Sequence, residues 1–307
     1  MTSTVKVTLS PSKFSKFAYY SVSEGGTIWW TGSDTVWGPF HTQDYLRAAY
    51  HPVFFGKASS LKSLVYKTNK KTDKPFFLGG YETGINLPMP SGAVDNMVLA
   101  AEDVGGLNFT GQDTVYMYFV KDSLKYKFNF KTPYTTIYLP DAAANGMIFA
   151  QNAVVRLKGT VKGQYTIGCN STTTSTGKGT IWLDDDIVYD KDPRQFPNST
   201  DMLGICAENT VWITNNTANN SDINIHASIY TEKGGFGAES YDSRPISGNI
   251  NLLGGIIQNT RKAVGTFSGS TINHGFAKRY KYDDRFMLAS PPFFPGTGGF
   301  EIVSWLE

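Results

Sequence analysis

The chain has 307 residues with a formal charge of +2, and 40% of them are hydrophobic and 18% charged. At that length roughly 75% of the unfolded surface can be buried, enough for one large domain or two smaller ones, and the composition excludes a disordered or membrane-embedded chain. Few charges with 31 Gly, 20 Phe and 17 Tyr is the balance of sheet proteins, and no basic face of the kind nucleic-acid binding needs is present.

Residues 4–9 alternate with period two and predict a half-buried strand. Strands are expected again at 26–32, then, after a turn through Ser33 and Asp34, at 35–40, where Pro39 confines the strand to a corner or an edge. Residues 52–58 close this block. Behind Ser91, the stripe Val94, Met97, Val98 and Ala101 predicts the one helix of the chain, ended by Gly105 and Gly106. A meander of short strands follows at 114–120, 125–130 and 135–139, with Tyr126, Phe128 and Phe130 on one face as stacked core aromatics.

From Asn145 the rhythm changes. Strand segments recur around Ile181, Ile205, Ile225 and Ile250, spaced by 24, 20 and 25 residues, with Gly, Asn and Thr clusters between them. A weakly self-similar period of this size predicts a solenoid, and the missing Leu and Asn spacing excludes a leucine-rich repeat. The fold class expected is therefore mainly β: a right-handed parallel β-helix with an inserted β-meander plus one short helix. Its parts are N-terminal coils and cap (1–65), an inserted α+β segment (66–144), further coils (145–270) and a capping tail (271–307). The tail contains Pro291-Pro292-Phe293-Phe294-Pro295 and is expected to cover a sheet edge.

Candidate chemistry is sparse. Cys169 and Cys206 lack any metal spacing and sit in apolar strands, as buried thiols or as a disulfide between neighbouring coils. Asp184, Asp185 and Asp186, with Asp190 and Asp192, form the best carboxylate group. Asp184 and Asp186 share a face, and Asp184, Asp186 and Asp190 are the candidate ligands of a structural calcium ion, a solvated turn being the plainer reading. Glu208, His226 and Glu239 lie in successive coils as an internal polar ladder or as acid–base groups. His41 and His51 lack further ligands at metal spacing, and His274 precedes the surface charges Lys278, Arg279 and Lys281. No nucleophile elbow surrounds Ser33, and no phosphate loop is formed at Gly296-Thr297-Gly298-Gly299. Aromatic crowding near the start makes Trp29, Trp30, Trp37, Phe54 and Phe55 the candidate binding residues, as an exposed platform or as core.

Several separated motifs resemble a bacterial family of uncharacterised type IV pilus-associated proteins. They include Lys13-Phe14-Ser15-Lys16-Phe17-Ala18-Tyr19-Tyr20, Trp29-Trp30-Thr31-Gly32, Leu203-Gly204-Ile205-Cys206-Ala207-Glu208-Asn209 and Phe236-Gly237-Ala238-Glu239-Ser240-Tyr241. Gly254-Gly255-Ile256-Ile257-Gln258-Asn259-Thr260-Arg261 and the Pro291–Pro295 motif complete the series, in order along nearly the whole chain. The resemblance implies a β-helical ectodomain behind a pilin-like apolar helix. Only about a dozen residues precede the Phe-Ala-Tyr motif here, no signal-peptide pattern opens the chain, and no apolar run approaches the roughly 18 residues of a membrane span. The expectation is an extracytoplasmic protein, secreted or at the cell surface, that meets a membrane only through an upstream anchor. The resemblance implies no activity and carries no catalytic motif.

Function is thus expected to be that of a non-catalytic surface scaffold or adhesin, with other surface or pilus proteins or glycans as partners and no nucleic acid. The alternative is a carbohydrate-active enzyme or glycan-binding module using a groove along the helix. A phage-type spike would need a trimerisation segment, and the sequence offers none.

Overall fold

The computed structural model describes residues 6–26, 28–32, 34–172, 177–268 and 271–306. Thr4 and Val5 of the first expected strand lie outside these residues, as do Thr27 and Ser33. Strand dominates, and most of it is parallel. One ladder runs, in spatial order, through Leu107–Phe109, Met147–Ala150, Gln164–Cys169, Met202–Ala207, Ile223–Thr231 and Ile246–Thr260. It then continues through Tyr19–Ser23, Phe40–Thr42, Ala58–Ser60 and Tyr81–Thr83. A second ladder joins Thr114–Lys121, Val154–Val161, Thr180–Tyr189, Val211–Ile213 and Phe236–Ala238. A third joins the early part of Ile246–Thr260 to Thr271–Lys281, Thr35–Trp37, Val53–Phe54 and Phe76–Phe77.

Long strands pass from one ladder to another by bending. Ile246–Thr260 contributes Ile250–Leu253 to the third ladder and Ile256–Gln258 to the first. The bend sits at Gly254, whose φ is +144° and where a Cβ would lie 1.9 Å from the Ala227 carbonyl oxygen. Only glycine tolerates that conformation at that approach. The ladders enclose one apolar interior that includes Ile148, Ile167, Ile205, Ile229 and Ile256.

The chain enters this stack in its middle. Tyr19–Ser23 is sandwiched between Ile246–Thr260 and Phe40–Thr42, so the N-terminal strands extend the ladder beyond the C-terminal ones. The joint is held by buried charge. Glu24 and Asp34 come from the N-terminal side, Arg261 and Lys278 from the C-terminal side, and all four are buried. Arg261 Nη1 and Trp30 Nε1 donate to Glu24 Oε2 at 2.8 and 3.0 Å, while Tyr19 and Ser21 hydroxyls donate to Oε1 at 2.8 and 2.5 Å. Lys278 Nζ donates to both Asp34 oxygens at 3.1 and 3.0 Å. The Arg261 guanidinium lies 4.1 Å from the centroid of the buried Trp30 ring.

Because the N-terminal strands finish at one end of the stack and Leu107–Phe109 begins at the other, residues 84–106 must travel between the two. They run along the outer face of the first ladder. Tyr20 Oη donates to the Leu87 carbonyl at 2.6 Å, Glu232 accepts from Gly92 and Val94 N–H at 2.5 and 2.9 Å, and Asn145 Nδ2 donates to the Ala100 carbonyl at 2.8 Å. Under this strap a second apolar cluster forms from Phe14, Tyr20, Met97, Phe149, Tyr230 and Phe294, among others. Strands such as Met202–Ala207 are therefore buried on both faces, as continuous apolar runs in parallel sheets usually are. Alternation sends Cys169 into the interior and Cys206 under the strap. Both thiols are free, which excludes the disulfide alternative.

Several expectations are corrected. The stripe from Val94 forms the helix Met97–Glu102, but Lys70–Asp73 and Leu139–Ala142 are also helical, the first capped by the Asn69 side chain. The antiparallel set Thr114–Lys121, Ser123–Lys127 and Thr135–Tyr138 is present, yet its first strand is also part of the second ladder. The middle strand stops at Lys127, so Phe130 is 68% exposed instead of stacked in the core. The tail strand Gly296–Leu306 pairs antiparallel with Lys6–Lys13. Ile205 aligns with Ile167 and Ile229, not with Ile225, so the apparent period mixed different ladders. No helix among the described residues is long and apolar enough to cross a membrane.

Removing one partner of a buried ion pair leaves the other charge uncompensated. Arg261→Ala is expected to cost about 3–5 kcal/mol, with much of the loss recovered by Glu24→Gln/Arg261→Met. Lys57→Ala, which breaks the exposed Lys57–Glu82 pair, should leave the urea midpoint unchanged. Urea denaturation followed by tryptophan fluorescence measures all three.

Candidate functional site

On the outward side of the third ladder, side chains at matching register positions form rows. Asp186 leads one row. Asn224 donates to it from its backbone N–H and its side-chain amide at 2.8 and 2.9 Å, and Asn251 Nδ2 donates to Asn224 Oδ1 at 3.2 Å. Arg279 follows Asn251 in register, and Thr35 follows Arg279. In the neighbouring row Lys281 is aligned with Trp37, whose ring stacks on Phe55 at 5.4 Å and 12°. A groove of about 680 Å³ opens between these rows, lined by Trp37, Asn224, Asn249, Asn251, Arg279 and Lys281, with Arg194 on its rim.

The groove is polar but its polar groups are ordered. Asp222 accepts from Asn249 N–H at 2.8 Å and from the Asn249 and Asn251 amides at 3.3 Å. Partial burial pushes the Asp222 carboxyl upward, but these bonds and the Arg279 charge outweigh it and hold it below the usual carboxylate range. Arg194 is clamped on Asp192 at 2.5–3.0 Å, and that bond, against the desolvation of the carboxyl, holds Asp192 low. Lys281 is exposed and makes no ion pair among the described residues.

The expected binding aromatics divide. Trp30 and Phe54 are fully buried in the interior and are corrected to core residues: Trp30 makes an isolated bridge to Ala48 and packs against Arg261, and Phe54 packs against Phe40. Trp37 and Phe55 face outward, and Phe55 is 43% exposed. Trp29 lines a separate cavity of about 310 Å³ with Tyr50, Tyr241 and Phe267.

The expected calcium ligands do not converge. Asp184 takes a two-point bond from Arg156 at 2.9 and 2.5 Å and a third from Thr214 at 2.7 Å. Asp186 is bonded to Asn224, and Asp190 is paired with Lys121 at 3.1 Å. An arginine fork neutralises the charge that a cation would need, and among the described residues no three His, Cys, Asp or Glu side chains come together as a cation site. The other polar candidates are likewise dispersed. Glu208 accepts from Lys233 and the Ser171 N–H, Glu239 accepts from Asn215 N–H at 2.8 Å, and His226 lies elsewhere, beside Arg194. His41 bonds Ser59 and Gln43, His51 the Lys74 carbonyl and His274 the Arg244 carbonyl.

Sequence reasoning missed Asn224, Asn249, Asn251 and Asp222. A signal was present: Ile223-Asn224-Ile225 and Ile250-Asn251-Leu252 set an amide between two inward apolar residues in successive strands. It also missed Trp182 and Trp212, aligned in the second ladder with rings 6.2 Å apart and flanked by Arg156 and Lys262.

No family model matches the chain, and no curated protein matches it. Among solved structures it is similar to the crystal structure of the competence-associated pilin ComZ from Thermus thermophilus, at 12% identity and a TM-score of 0.40. The similarity spans 98% of this chain and 77% of that one.

Beside the groove, burial pushes His226 down to about 4 although Asp192 pulls it upward; its Nδ1 accepts the Tyr189 N–H at 3.2 Å. The unfolded chain then takes up a proton near pH 6.5 that the folded chain refuses until about pH 4. Stability is therefore full above pH 6.5 and falls on acidification through this window, by on the order of 3 kcal/mol in total from this group. Urea midpoints measured from pH 7 to pH 4 should show that loss, and His226→Gln should flatten it.

Proposed function

We propose that the chain is an extracytoplasmic, non-catalytic scaffold or adhesin-like module, built as a right-handed parallel β-helix, whose outward ladder faces bind a glycan or other surface proteins, pilus proteins among them. The observation that carries this reading is the row Asp186–Asn224–Asn251, in which each side chain is hydrogen-bonded to the next, continued in register by Arg279. Such a row loses little conformational entropy when a ligand settles on it. Support for the β-helix comes from three parallel ladders around one interior, and for its hand from the right-handed rule for parallel crossovers. The extracytoplasmic setting rests on the motifs shared in order with the pilus-associated family.

Binding rather than catalysis is favoured by how the carboxylates are used. Glycoside cleavage needs two carboxyl groups flanking one bond, one of them able to carry a proton. Asp184 and Asp192 are each fixed by an arginine, and Asp186 and Asp222 by amides. Carboxylates held by such bonds are fixed in orientation and suit acceptors of sugar hydroxyls.

A glycan array probed with the purified chain, with and without Ca²⁺, tests this. The expected result is binding that EDTA does not alter and, by mass spectrometry, intact ligands. Cleaved products would overturn the non-catalytic reading in favour of a carbohydrate-active enzyme.

A further inference from the structure

Resting on that reading, we propose that the groove between Trp37, Asn251 and Arg279 is a binding site for an extended anionic glycan, a chain of uronate-type sugars, laid across the strands. Three chemistries converge there. Arg279 and Lys281 are exposed cations on one strand, two positions apart and therefore on the same face. They offer charge-assisted hydrogen bonds to a sugar carboxylate. Asn224 and Asn251 are half-buried amides on the two preceding strands; the second Asn224 amide hydrogen offers a donor and the Asn251 Oδ1 an acceptor to ring hydroxyls. Trp37, in register with Lys281 on the following strand, presents an apolar surface against which a pyranose ring can pack.

The spacing is that of a polymer. Adjacent strands lie about 4.8 Å apart, close to the advance of one pyranose unit in an extended glycan. The order amide, amide, cation and aromatic thus runs over four consecutive strands, Ile223–Thr231, Ile246–Thr260, Thr271–Lys281 and Thr35–Trp37. The groove is wide enough for an oligosaccharide at about 680 Å³.

The acidic groups decide between a sugar and a nucleic acid. Asp186 and Asp222 accept hydrogen bonds from the asparagines that line the groove, and Asp192 neutralises Arg194. A polyphosphate needs a cationic track along its whole length, and here the cations stand at one end of the row, with Asp186 at the other. A chain bearing one carboxylate per sugar and several hydroxyls matches both the cations and the amides.

Calorimetric titration at physiological salt with tetragalacturonate, a neutral galactose tetramer and a twelve-nucleotide oligo-dT tests the site. Tetragalacturonate should bind best. Arg279→Gln/Lys281→Gln should weaken it about tenfold or more, and Trp37→Ala by a similar factor, while Trp182→Ala on the other ladder leaves it unchanged. Asn251→Asp, which adds a carboxylate at the floor, should weaken the uronate more than the neutral tetramer. Unchanged urea midpoints for the Arg279/Lys281 variant show that the loss is not one of folding. Uronate binding abolished by Trp182→Ala and spared by Trp37→Ala overturns the site while leaving the adhesive reading intact. Equal binding of the neutral tetramer overturns the anionic specificity alone. Tighter binding of oligo-dT through the same residues overturns the glycan assignment, as does no binding of any probe. Shortened uronate products after incubation would instead bring down the non-catalytic reading.

Discussion

The constraint on which the rest depends is the joint where the N-terminal strands dock on the C-terminal ones. Elsewhere in the stack, neighbouring strands follow one another in the chain, and local closure brings them together cheaply. At the joint they are about 240 residues apart in sequence: Lys278 meets Asp34 and Arg261 meets Glu24. Hydrophobic matching alone would hold this contact loosely in register, because Tyr19, Ile256 and Phe40 are interchangeable apolar rungs. Two buried ion pairs add little net stability, since desolvation offsets most of their attraction. Their effect is on alternatives: any slip of one residue turns a charge to the wrong face or leaves it buried without a partner.

The joint also dictates the covering of the first ladder. With the stack entered at its middle, one segment must span from end to end, and residues 84–106 do so. Their path turns a sheet face that would otherwise be exposed into a second core. Glu232 anchors the path through two backbone N–H groups, and Tyr20 through the Leu87 carbonyl. The doubly apolar strands between them, with Cys206, Tyr230 and Ile257 facing the strap, follow from that route.

What was legible in the sequence was local. Strand content, the helix stripe at Val94 and Met97, and the inward positions of Ile205 and Ile250 follow from periodicity and composition. What was hidden required knowing which strands are neighbours. Trp30 reads as a candidate platform from its aromatic surroundings, yet its bond to Glu24 and its packing on Arg261, 231 positions along the chain, turn it inward. Asp184 and Asp186 share a face as expected, but their partners Arg156 and Asn224 lie on other strands, and it is those partners that remove them as cation ligands. Asn224 and Asn251 look like turn residues in isolation and become a row only when Ile223–Thr231 is laid beside Ile246–Thr260.

The groove and the joint are one construction. Trp37 belongs to the N-terminal strands, whereas Asn251, Arg279 and Lys281 belong to the C-terminal ones. Inside the interior, Lys278 reaches Asp34; one residue further along, Arg279 and Thr35 face outward in register, and two residues beyond those Lys281 stands beside Trp37. The same pairing that satisfies a buried ammonium therefore sets the distance between the cationic and aromatic halves of the groove. A shift of one residue at the joint would bury Trp37 and expose Val36, removing the aromatic wall as well as breaking the ion pair. Expensive buried charge is thus placed where it specifies the one register in which the outer surface is assembled.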